Sequence, residues 1–171
     1  MPTPWTYPTI ITQTAEDPSH IEWDSVNNFV FLRAADSNFT KTNKSLVHIA
    51  VSKNSAIKNK TWYLYLTGFN FINLPQIITG IEAEIHMNRG GRITDDTVQL
   101  RYNNEWIGEN RSTLALDMFK VYGTSTDNWG INLSSINVQS SSFGIGIRFQ
   151  SHPSFPHNST PLLDYVRLRV H

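Results

Sequence analysis

The chain offers three sets of side chains whose types could do chemistry. Glu82 and Glu84 stand two apart in Ile81-Glu-Ala-Glu-Ile-His-Met-Asn88. On a strand, residues i and i+2 share a face, which puts the two carboxylates roughly 7 Å apart. That lies near the separation of an inverting glycosidase pair, but the polar face of any half-exposed sheet looks the same. Asp95 and Asp96, with Asn103 and Asn104 downstream, offer the oxygen ligands calcium takes. They lack the EF-hand spacing and its closing glutamate, and Asx-turn chemistry accounts for them more simply. His86, His152 and His157 would hold a metal only if the fold gathered them, and their spacing matches no zinc signature. A nucleophile elbow, a Walker A loop, a His-Glu-x-x-His helix and a dinucleotide fingerprint are all missing. With no cysteine, a thiol nucleophile, a thiolate zinc site and a disulfide framework are excluded. Neither an enzyme nor a cofactor is expected.

What remains is surface chemistry. Trp62, Leu64 and Leu66 alternate with Tyr63 and Tyr65, so this strand is apolar on both faces. It is either covered twice or exposed to a partner, and exposed aromatics suit protein contact or sugar stacking. Trp106 and Trp129 are the tryptophans to test for sugar. Fourteen basic and fourteen acidic groups cancel, which argues against autonomous nucleic-acid binding. The balance is uneven along the chain. No acid occurs from Ser37 to Gly80, where Lys41, Lys44, Lys53, Lys58 and Lys60 fall. A basic stretch of this kind is a solvated loop or a dock for an acidic partner, such as a neighbouring copy.

Positioning these groups requires a sheet. Asn, Ser and Thr occur 16 times each, and Ile, Val and Thr together supply 41 branched residues, which favours strands over helices. Ile81 to Asn88 alternates without error, the mark of a half-buried antiparallel strand. Further strands are predicted at 28–33, 46–51, 62–67, 97–102, 117–122, 143–149 and 163–170. A tight turn is expected at Asn103-Asn104, and one helical turn over 133–137 with Ser134 as its cap. The glycines of Phe143-Gly-Ile-Gly-Ile147 predict close approach of another backbone. The expected fold is all-β: one antiparallel β-sandwich over 21–171, of jelly-roll topology. Residues 1–20 carry Pro2, Pro4, Pro8 and Pro18 and read as an extended N-terminal arm rather than a packed element. Trp5 and Tyr7 ride on that arm. No basic leader or long apolar run is visible, so neither export nor a membrane span is expected.

Several stretches carry a resemblance. They are Trp62-Tyr-Leu-Tyr-Leu-Thr-Gly-Phe-Asn-Phe71, Leu74-Pro75, Ile78-Thr-Gly-Ile-Glu-Ala-Glu-Ile85 and Asp95-Asp-Thr-Val-Gln-Leu100. Ile107-Gly-Glu-Asn-Arg111, Tyr122-Gly123, Trp129-Gly130, Ser142-Phe-Gly-Ile-Gly-Ile147 and Leu163-Asp-Tyr-Val-Arg-Leu-Arg-Val170 follow. In this order they resemble the small β-sandwich structural proteins encoded among the virion genes of tailed bacteriophages. The resemblance covers about two thirds of the chain, with Gly80 and Gly144 among its recurring positions. It implies a virion component made in the host cytoplasm: a capsid decoration or cement protein first, a neck, baseplate or tail piece second. Its partners would be the major capsid protein or neck and tail proteins, with nucleic acid and membrane excluded. By analogy it would be a homo-oligomer, such as a trimer. The candidate interface is Trp5, Tyr7, Lys41, Lys44, Lys53, Lys58, Lys60, Tyr63 and Tyr65. A carbohydrate-binding module is the rival from another class, and a small β-sandwich hydrolase a third reading.

Overall fold

The computed structural model describes residues 1–15, 21–23, 40–41, 60–88, 93–114, 119–151 and 161–171. Among these, nine strands and one short helix occur. They are β1 (Ile10–Thr14), β2 (Thr40–Lys41), β3 (Tyr63–Thr67), β4 (Ile81–Asn88), β5 (Ile93–Tyr102), β6 (Glu105–Ile107), β7 (Phe119–Tyr122), α1 (Ser135–Gln139), β8 (Gly144–Ser151) and β9 (Leu162–Val170). The strands expected at 28–33 and 46–51, and Lys44, Lys53, Lys58, His152 and His157, lie outside the described residues. Among the described residues no helix is long and apolar enough to cross a membrane.

The strands form two sheets, β1-β3-β8-β5-β6 and β2-β9-β4-β7. Every strand pairing is antiparallel. Their inner faces share one apolar core. The five-stranded sheet contributes Leu64, Leu66, Val98, Leu100, Ile145, Ile147 and Phe149; the four-stranded sheet contributes Ile81, Ala83, Ile85, Val166, Leu168 and Val170. Two antiparallel sheets around one core make the all-β sandwich that the period-2 patterns predict. Each fully buried Leu or Ile contributes about 1.5–3 kcal/mol of transfer free energy.

Local chemistry sets the connections. Asn103 and Asn104 both take positive φ, 51° and 67°, so the β5–β6 hairpin closes through a primed turn that matches strand twist. The helix falls two residues later than predicted, but its cap is the expected one. The Ser134 hydroxyl accepts from the Asn137 backbone N–H, and the Asn137 side chain accepts from Ser134 in return. Gly144 answers the expectation of close backbone approach, since a Cβ there would sit 1.9 Å from the Leu66 carbonyl oxygen. Gly146 does not: its missing side chain makes room for the Trp106 indole.

The N-terminal segment departs from the expected unpacked arm. Thr3 donates its N–H to Val170, and Val170 donates in return to the Thr3 hydroxyl. Thr6 and Leu168 exchange two backbone bonds of 2.8 and 2.9 Å. The chain then crosses to the other sheet, where β1 pairs with β3 from Ile10↔Thr67 to Thr14↔Tyr63. Residues 3–14 therefore link the outer edges of both sheets on one side of the sandwich. The prolines permit this because an edge position leaves unused backbone donors that proline lacks. Thr40–Lys41 pairs with Leu162 and Leu163 of β9.

Candidate functional site

The functional side chains sit on the two outer faces, and strand register explains each set. On the four-stranded sheet, Glu82 lies opposite Arg169, Glu84 opposite Arg167 and His86 opposite Tyr165. Opposite charges on facing strands attract. Arg167 grips Glu84 through Nε and Nη2, both at 2.6 Å, while the Tyr165 hydroxyl donates to the same oxygen at 2.8 Å. Glu84 is left only 4% exposed. Glu82 accepts from Arg169 at 2.8 Å and pairs with His171 at 2.9 Å. Burial alone would raise the Glu82 carboxyl, but hydrogen bonds and charge from His171 and Arg169 outweigh it and hold it below its ordinary value. A glycosidase acid requires the opposite shift. Burial and the Glu84 carboxylate push the Tyr165 phenol up to about 12.

Trp5 and Tyr7 complete this face. Both arginines lie over the Trp5 ring, Arg169 at 4.5 Å and Arg167 at 4.9 Å, and Arg167 also reaches the Tyr7 hydroxyl at 3.3 Å. Tyr7 meets Tyr165 edge-on. These aromatics therefore cover the chain's own ion pairs. Toward β7 the face turns apolar, with Phe119 and Val121 exposed beside His86 and Glu84. His86 Nδ1 lies 2.7 Å from Asp164, which sits at the β-bulge of β9.

The five-stranded sheet carries the other aromatic set. Tyr63 and Tyr65 point outward from β3 and stack at 5.9 Å, and Trp106 of β6 meets both rings edge-on. Gly146 of β8 makes this possible, because any Cβ there would lie 2.5 Å from the indole. Two arginines lie over the tyrosines: Arg148 is 4.2 Å from the Tyr63 ring and Arg101 3.5 Å from the Tyr65 ring. Their charges are treated differently. Arg148 bonds Asp96 at 2.5 Å, and Lys60 joins the same carboxylate at 2.8 Å. Burial opposes ionisation of Asp96, but Lys60 and Arg148 hold its carboxyl below the ordinary value. Arg101 has no ion pair among the described residues. Its Nη2 donates to the Asn104 carbonyl, and its buried Nη1 has no acceptor.

The candidate interface thus divides. Trp5 and Tyr7 lie on one outer face; Tyr63, Tyr65 and Lys60 lie on the other. Lys41 is in β2. Arg101, Arg148, Arg167 and Arg169 organise both faces, and sequence reasoning did not single them out as sites. Period 2 in Glu82-x-Glu84 and Arg167-x-Arg169 was a visible signal for one ladder. Trp129 is no sugar candidate: it is fully buried and donates its indole N–H to the Ile81 carbonyl at 2.8 Å. Asp95 and Asp96 do not converge, since Asp95 faces Lys120 and the Thr113 N–H while Asp96 faces Arg148. Among the described residues no three His, Asp or Glu side chains form a ligand cluster. No protein-family model matches the chain, and no curated protein matches it.

Proposed function

We propose that this protein is a structural component of a tailed-phage particle and acts by contact rather than by chemistry. Capsid decoration is the first position and a neck, baseplate or tail site the second. The observation that carries the reading is the strand pairing. β2 pairs with β9, β3 with β8, β4 with β7 and β5 with β6. Those four pairs are one long antiparallel hairpin, and rolling it up adds the contacts of β9 with β4 and β8 with β5. That pairing supports the jelly-roll reading of the sandwich, an architecture common in virion and lectin domains. The carboxylates with cleft-like spacing support the same reading, because Arg169 and Arg167 engage Glu82 and Glu84 in a structural ladder.

Contact would then fall to the exposed apolar positions. Phe119 and Val121 lie on the edge strand β7, and Ile72 and Ile77 in the segment between β3 and β4. A second copy or a capsid subunit is the occupant this reading expects. Purified protein added to particles assembled without it should bind and saturate at a symmetry-related copy number. Phe119→Asp, which leaves the core untouched, should lower that binding. Failure of the wild-type protein to bind such particles would overturn the proposal.

A further inference from the structure

We propose that the outer edge of β7 adds the same strand of a second copy, so that two four-stranded sheets run on as one across a twofold axis. The inference deepens the contact reading above, and rests on it for the choice of β7. It follows from where the backbone of β7 points. Thr3 and Thr6 bond Val170 and Leu168 on the side of β9 away from β4. Backbone groups in an antiparallel ladder turn alternately to either neighbour. Ile81 and Ala83, opposite Val170 and Leu168, therefore turn toward β7, and Ile85 does the same. The Ile81 N–H agrees, since it donates to the Asp127 carbonyl and not to β9. Lys120 and Tyr122, opposite Ile85 and Ala83, then bond β4. The N–H and C=O groups of Phe119 and Val121 are left aimed outward, and among the described residues no strand lies beyond β7.

The side chains suit strand addition. Phe119 is 52% and Val121 40% exposed, and an exposed apolar edge is a template for another strand. An inward-pointing lysine can guard such an edge, and Lys120 points inward beside Ile85. Its charge is already answered: Nζ lies 3.7 Å from Asp95, bonds the Thr113 hydroxyl and sits 4.8 Å from the Tyr122 ring. A second copy is the occupant because the edge is self-complementary, and an isologous contact needs only one patch. With the twofold at Lys120, each Phe119 faces the partner's Val121, and four apolar side chains close into one block. A twofold at Val121 would set Phe119 against glycine and leave its ring uncovered. The chain also carries no net charge to drive copies apart. The symmetry is that of a dimer, not of the trimer that analogy suggested.

Disulfide trapping reads this register directly, because the chain has no cysteine of its own. Residues facing each other in a hydrogen-bonded pair have Cα atoms about 5.5 Å apart, within disulfide reach. Oxidising a mixture of Phe119→Cys and Val121→Cys proteins should give a covalent dimer with one of each, while either variant alone stays uncoupled. Sedimentation of the unaltered protein should show a concentration-dependent dimer, weakened about tenfold or more by Phe119→Asp. A monomer at every concentration overturns the proposal, and this arm stays decisive even if a variant folds poorly. Coupling of either variant with itself in preference to the mixture overturns it as well. Neither assay contains particles, so the two readings fail separately. A protein that stays monomeric yet saturates particles overturns the dimer and assigns β7 to a capsid subunit, whereas a dimer that binds no particle overturns the virion reading alone.

Discussion

Gly144 and Gly146 stand two residues apart on one face of β8, and alanine at the two positions should have very different effects. At Gly144 the new Cβ would lie 1.9 Å from the Leu66 carbonyl oxygen and 2.8 Å from the Thr67 Cα. Non-bonded carbon and oxygen sit about 3.3 Å apart. Both obstacles are backbone of the paired strand β3, so β3 and β8 must separate by more than 1 Å. Overpacking costs about 1–3 kcal/mol, and each weakened ladder bond adds about 1 kcal/mol. The sum is about 3 kcal/mol, which for a chain of this size lowers the melting temperature by about 6–12 °C. At Gly146 the obstacle is the far end of Trp106, at 2.5 Å. The indole belongs to a three-residue edge strand and can lift away. Its lost contacts are offset by about 0.5–1 kcal/mol gained on removing a strand glycine, so Tm should change by no more than about 3 °C. Thermal unfolding followed by circular dichroism reads both values, and the indole N–H signals in NMR report whether Trp106 moves. A Gly146→Ala protein as destabilised as Gly144→Ala, or one with an unmoved Trp106 signal, would refute the reasoning.

Glu84→Gln should cost about 2–3 kcal/mol in denaturant unfolding, less than a fully buried pair because water reaches Arg167; no change would show the ladder to be ornamental. The Tyr165 phenol is raised to about 12 in the folded state. Its contribution is therefore complete below pH about 10, where the unfolded tyrosine begins to ionise. It should be lost as pH climbs toward 12, and Tyr165→Phe should flatten that alkaline limb. Glu82 and Asp96 are both held below their ordinary values, so their contributions should fade as pH drops below about 4. A Glu82→Gln, Asp96→Asn double variant should be less pH-sensitive there. Deleting residues 1–8 should lower Tm, because the Thr3–Val170 and Thr6–Leu168 bonds go with them; a spare arm would leave Tm unchanged.

Strand β4 was legible residue by residue because one face is buried and the other polar, so period 2 is written into Ile81 to Asn88. The hairpin turn and the Ser134 cap were legible for the same reason: their chemistry is local. β1 was not. Ile10-Ile-Thr-Gln-Thr14 follows three prolines, and its edge position leaves alternate residues exposed, so nothing in the local pattern separates it from an extended tail. The Tyr63-Tyr65 face was visible as doubly apolar, but its meaning depends on Arg101, Arg148 and Trp106. Those residues arrive from strands 36 to 85 positions away, and only register shows that, among the described residues, one arginine has an acid and the other has none. The Glu–Arg ladder likewise joins strands more than 80 residues apart.

If the proposed virion role holds, quantitative mass spectrometry of purified particles from the source of this chain bears most directly on the central claim. A contact-acting decoration protein should be present at a fixed ratio to the major capsid protein, in hundreds of copies, and a dozen or fewer would move it to the neck or tail. Complete absence from purified particles, with the protein abundant in the infected cell, would contradict the account.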